Sequence, residues 1–187
     1  MTSHFRNCPW YALHVRSRFE KLAAKHLRDK GYDPYLPLFK SVRRWSDRVK
    51  TVELPLFSGY LFCKFEIEHR LPILVVPGVL SIVGSGKVPA TIPESQISSV
   101  QKVIASGEQC GPWPLVKNGQ SISIERGPLA GLKGTVIEVK SSLYLIVSLP
   151  LLQRSVAVEV DRDCVGIDHT RLGGTKLHGN FPIHSSM

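Results

Sequence analysis

The 187-residue chain holds four cysteines and far fewer acidic residues, 15, than basic ones, 24, and each scarcity excludes something. Cys8, Cys63, Cys110 and Cys164 lie too far apart for any Cys-x-x-Cys metal knuckle, and they make no disulfide framework, so free cytosolic thiols are expected. No run approaches the roughly 20 apolar residues of a membrane span, and the opening Met-Thr-Ser-His-Phe-Arg lacks the apolar segment of a secretion signal. A cytoplasmic protein that does not enter membranes is the expectation. Paired acid–base residues, a nucleophile elbow, a phosphate-binding glycine loop and metal-ligand spacing are all missing, and the seven histidines are scattered. Neither an enzyme nor a cofactor nor a bound metal is expected.

What the chain does have is apolar content, 43%, sufficient for a core, and length for one large domain or two small ones. Its net charge of +9 is uneven: residues 1–50 hold 12 Lys/Arg against 4 Asp/Glu, whereas residues 51–110 hold 4 against 5. Clustered positive charge suits nucleic acid, because each phosphate contacted releases counterions; a solvated basic face has the same composition.

Along the chain, Trp10–Val15 alternates as a first strand, and Ser17-Arg-Phe-Glu20 has capping-box spacing that predicts a helix start. Phe19, Leu22, Ala23 and Leu27 recur at helical steps, with Arg18, Lys21, Lys25 and Arg28 on the other positions and Gly31 as the stop. Tyr35–Phe39 reads as a short proline-bounded strand. The basic stretch 40–50, centred on Trp45, reads as a protruding hairpin or loop. Leu54-Pro-Leu-Phe-Ser-Gly-Tyr-Leu-Phe62 reads as a strand bent at Ser58-Gly59 that then runs through a core. A short helix near Leu71–Val75, a strand at Val79–Val83 and a helix from Pro93-Glu94 follow. The order describes an α+β sandwich of helices on an antiparallel sheet.

Residues 105–114 concentrate glycine and proline and read as a linker. Beyond them, Ser121–Ile124, Gly134–Val139, Tyr144–Val147 and Val156–Val160 are short β-branched runs, the pattern of a small all-β barrel. The expected division is 9–106 for the first domain, 107–116 for the linker, 117–167 for the barrel, and 168–187 for a disordered tail.

The stretch from Gly119 to Val136, punctuated by Gly127, Gly131 and Gly134, resembles the KOW motif of NusG-type transcription factors and some ribosomal proteins. Trp10-Tyr11, the basic helix, Leu56-Phe-Ser-Gly-Tyr-Leu-Phe62 and Pro77-Gly78-Val79 together resemble the NusG N-terminal (NGN) domain. The likeness spans about residues 9–167, and its wording is nearest to specialised paralogues of the RfaH and UpxY type. It implies an NGN-like fold followed by an SH3-like KOW barrel, and a monomeric transcription elongation factor that binds RNA polymerase and modulates pausing or termination, with antitermination at specific operons. An RNA-binding or ribosome-associated KOW protein that needs no polymerase is the alternative.

Carried onto this sequence, the resemblance implies a clamp-helix-binding hollow at His14, Phe57, Tyr60 and Ile82, although Phe57 and Tyr60 could instead fill the domain's own core. Ser58 stands where the family commonly has proline. His69, Arg70 and Leu71 fall where a gate-loop contact is made. Arg16, Arg18, Lys25 and His26 would look toward the non-template DNA strand or nascent RNA, and Arg43, Arg44, Trp45 and Arg48 form a second candidate nucleic-acid patch. In the barrel, Leu151, Leu152 and Arg154 would face Rho or a small-subunit ribosomal protein.

Overall fold

The computed structural model describes residues 8–44, 49–86, 88–116, 120–139 and 142–166. The chain divides into two compact units, Met1–Leu38 with Leu54–Ile97, and Phe39–Glu53 with Ser98–Met187. Both sheets described below are antiparallel, and the mixed α+β class matches expectation. The tail from 168 onward lies outside the described residues.

In the first unit, β1 (Trp10–Val15) is followed by α1 (Glu20–Asp29) and the two-residue β2 (Pro34–Tyr35). In sequence the hairpin of β3 (Leu38–Arg44) and β4 (Val49–Pro55), whose residues Phe39–Glu53 belong to the second unit, intervenes before β5 (Tyr60–Lys64). The one strand expected over Tyr35–Phe39 is thus two. A short α2 (Leu71–Leu74) leads to β6 (Val79–Ile82), then the small pair β7 (Gly84–Ser85) and β8 (Val88–Pro89), then β9 (Thr91–Ile92) and α3 (Glu94–Ala105), whose residues from Ser98 on belong to the second unit.

The sheet order is β2-β5-β1-β6, with β9 pairing the start of β1. Strand alternation sends Tyr11, Leu13 and Val15 to one face, where Leu61, Cys63 and Phe65 join Ala23, Ala24 and Leu27 of α1 in a buried cluster. That burial, not intrinsic propensity, holds a helix of only ten residues. On the other face Trp10 donates its indole N–H to Glu94 at 2.9 Å, and Lys64 lies 2.8 Å from the same carboxylate and 5.0 Å from the Trp10 ring centre.

Ser17 does not cap α1. The N-cap is Phe19, without a side-chain cap bond, and Arg18 sits between them at φ +70°. The left-handed turn at Arg18 shifts the helix start two residues on and releases Glu20 from its expected backward reach. Gly31, at φ +88°, ends the helix as its residue type predicts.

The second sheet has the order β10-β14-β13-β12-β11-β15. Its strands are β10 (Cys110–Pro114), β11 (Gln120–Ile124), β12 (Lys133–Val139), β13 (Ser142–Leu149), β14 (Arg154–Val160) and β15 (Val165–Gly166). Trp113, Ile137, Val139, Ile146 and Ala157 form a buried cluster within it. The segment read as a linker therefore contains a strand. Pairing of all five β10 residues with β14 and burial of Trp113 outweigh the local glycine and proline content. Pro112 and Pro114 remain exposed on this terminal strand.

The glycines between β11 and β13 act as their type suggests. Gly127 and Gly131 adopt φ +83°, and a Cβ on Gly134 would meet the Ile146 carbonyl oxygen at 2.5 Å.

Candidate functional site

The bent stretch between β4 and β5 builds the candidate site. Gly59, at φ +82°, turns the chain; its carbonyl accepts from Val15 N–H at 2.7 Å, and Tyr60 N–H donates to the Phe57 carbonyl at 3.0 Å. β5 then starts with Tyr60 directly opposite His14 of β1. Their ring centres are 5.4 Å apart, with planes tilted by 32°. His14 is exposed and Tyr60 half-buried, so the pair forms a surface corner.

Phe57 and Ile82 do not share that corner. Phe57 is 3% exposed and packs edge-on to Phe62 at 5.8 Å, so it fills the domain's own core. Ile82 pairs with Leu13 and packs against the cluster on the opposite face of the sheet. Residues opposite each other in an antiparallel ladder share a face, and Leu13 faces the core while His14 does not.

A residue absent from the sequence-based set belongs here instead. His14 pairs with Ser81 and Val15 with Val79, which leaves Leu80 as the extra residue of a β-bulge. It is 57% exposed and precedes Ser81, the cross-strand partner of His14. No period in the sequence announces a bulge; only the missing alternation across Val79–Ile82 hints at it.

The basic residues around α1 form a second group. Arg16, Arg18 and Lys25 are exposed, and His26 is half-buried. Arg16 N–H donates to the Gly78 carbonyl at 2.8 Å, and its guanidinium lies 5.3 Å from the Phe19 ring centre. Of the second basic patch, Arg43 and Arg44 lie in β3, whereas Trp45 and Arg48 fall outside the described residues.

His69, Arg70 and Leu71 are all exposed where a single 3-10 turn, Ile67–His69, meets α2. His69 Nδ1 lies 3.2 Å from Glu66, and Arg70 donates to the Ile67 carbonyl at 3.1 Å. Leu71 and Val75, one helical turn apart, are 67% and 69% exposed.

In the second sheet, Pro150–Leu152 makes a 3-10 turn between β13 and β14, and Gln153 follows at φ +52°. Leu152 is buried at 5% exposure, which removes it from the proposed partner loop; Leu151 is half-buried and Arg154 exposed. A tight turn at this point folds one leucine inward to cap the sheet's core and leaves the other at the surface. Among the described residues, no group of His, Cys, Asp and Glu could hold a metal ion, and no helix is long and apolar enough to cross a membrane.

Comparison with known proteins adds to this geometry. The family model for NusG, described as transcription termination factor nusG, matches residues 9–101. The transcription termination/antitermination protein NusG of Rickettsia bellii is 26% identical over 165 residues, covering 81% of this chain and 85% of that protein. The protein of the same name from Thermus thermophilus is 25% identical over 173 residues, covering 81% and 94%. A solved structure titled "Domain interaction in Thermotoga maritima NusG" aligns over 80% of this chain and 92% of that one, at 19% identity and a TM-score of 0.49. The assignment rests on the sequence matches, which run through both the bent aromatic strand and the basic helix: the chain belongs to the NusG family of transcription termination factors.

Proposed function

We propose that this protein is a transcription elongation factor that rides on RNA polymerase and alters pausing or termination, with antitermination at particular operons as its specialised role. The observation that carries the reading is the His14–Tyr60 pair, one ring exposed and the other half-buried, with the exposed Leu80 on the neighbouring strand, in a chain of NusG family membership. Two rigid rings and an exposed leucine provide the aromatic and aliphatic anchors that dominate protein interfaces. Residues 9–106 are the polymerase-binding part and 117–167 the KOW part.

The exposed cations Arg16, Arg18 and Lys25 would track upstream single-stranded DNA or nascent RNA, and His69, Arg70 and Leu71 would reach the opposite wall of the polymerase cleft. Contact with both walls would lower pausing by favouring the closed clamp, provided the factor binds that state better. Leu151 and Arg154 are the residues left to engage Rho or a ribosomal protein. No catalytic role is assigned, and the working location is the cytoplasm.

In vitro transcription with purified polymerase tests the reading: pause lifetimes should change on addition of the protein, and Tyr60→Ala should abolish the change. Unaltered lifetimes on every template, with retained binding to RNA or ribosomes, would establish the polymerase-independent KOW alternative.

A further inference from the structure

We infer that Glu20 is a positioning residue for Tyr60, holding the aromatic corner in its binding arrangement through the backbone of Gly59. Glu20 begins α1, yet its side chain is 3% exposed, which is unusual for a carboxylate without a purpose. Its Oε1 accepts the Gly59 N–H at 2.8 Å inside the protein, across 39 positions of sequence. A buried carboxylate needs such donors, because water no longer supplies them.

Gly59 is the residue that aims Tyr60. Its left-handed φ sets the direction in which β5 starts, and its two backbone groups are both tied, the N–H to Glu20 and the carbonyl to Val15. Glycine restrains a turn poorly by itself, and neighbouring Ser58 is exposed and adds no ring to fix the backbone. The restraint comes from outside the turn. Since Glu20 is also the first residue of the basic helix, the same bond ties the start of that helix to the turn that precedes Tyr60.

The binding consequence rests on the reading of Tyr60 as a polymerase contact; the positioning itself does not. Its test uses the full chain carrying 3-fluorotyrosine, with the Tyr60 signal among five tyrosines assigned through Tyr60→Phe. Fluorine spectra of the free protein and affinity for core RNA polymerase are measured for wild type, Glu20→Gln and Glu20→Asp. Glutamine keeps an acceptor at the same reach without the charge, and should leave both readouts unmoved. Aspartate keeps the charge but falls one methylene short; it should shift the Tyr60 signal and weaken polymerase binding about tenfold. An unmoved Tyr60 signal in Glu20→Asp, or an equal shift in Glu20→Gln, overturns the inference. A shifted Tyr60 signal with undiminished affinity upholds the positioning and sinks the polymerase reading. If Glu20→Asp melts below the assay temperature, all three spectra are recorded below its melting point, where the same outcomes decide.

Discussion

Across the β1–β5 ladder, His14 and Tyr60 face each other as a register pair with their rings 5.4 Å apart, while Phe57, three residues before Tyr60, is buried against Phe62. Single substitutions should therefore separate binding from folding. Tyr60→Ala is expected to remove co-purification with core polymerase at a stability cost of about 1 kcal/mol, the size of a partly exposed aromatic pair. Phe57→Ala should cost about 3–5 kcal/mol by opening a cavity. Urea unfolding beside a polymerase pull-down checks both; equal destabilisation by the two would contradict the assignment.

Arg18 holds φ +70°, a conformation that costs an L-residue energy unless something requires the side chain there. Arg18→Gly should raise stability by about 0.5–1 kcal/mol by relieving the backbone. If the guanidinium contacts a phosphate, the same change should lower the salt dependence of single-strand binding by about 0.7 in the log–log slope. Thermal melts and a salt titration with a labelled oligonucleotide measure the two effects independently.

Burial pushes the Cys63 thiol from 9.0 up to about 12. Between those values the unfolded chain has released the proton and the folded one has kept it, so ionisation favours unfolding. The stability linked to this thiol is complete below pH 9 and declines as pH rises toward about 12. Burial also raises Tyr11, Tyr32 and Tyr144, which add slope of the same sign above their ordinary 10.0. Urea midpoints at pH 8, 9 and 10 should fall more steeply for wild type than for Cys63→Ala, and parallel curves would refute the assignment.

Gly134 leaves no room for a methyl group, since a Cβ would meet a backbone oxygen that cannot rotate away. Gly134→Ala should destabilise the second sheet by about 1–3 kcal/mol. Trp113 fluorescence during denaturation reports it, and an unchanged midpoint would show that the two strands can part freely.

The parts of the fold set by local period were legible from sequence. β1, α1, α3 and the four main strands of the second sheet all follow from alternation, helical spacing and stop residues. What escaped depended on partners far along the chain. Glu20 looked like half of a capping box because its true partner, Gly59, is 39 residues away. Phe57 looked like a companion of Tyr60 because its contact with Phe62 lies across the Gly59 turn, and Ile82 because its facing is set by its pairing with Leu13, far along the chain. β10 looked like a linker because its glycine and prolines conceal a strand that exists only through β14. Leu151 and Leu152 are indistinguishable by type; the turn that separates them is set by Gln153 in a left-handed conformation.

The terminal strand β10 carries Pro112 and Pro114, which have no N–H to offer. Both are paired in register with β14 on one side, so the positions that would greet an incoming chain on the other side are short of donors. Two of the strand's five positions therefore offer no N–H to one more rung, which disfavours edge-to-edge pairing at that border.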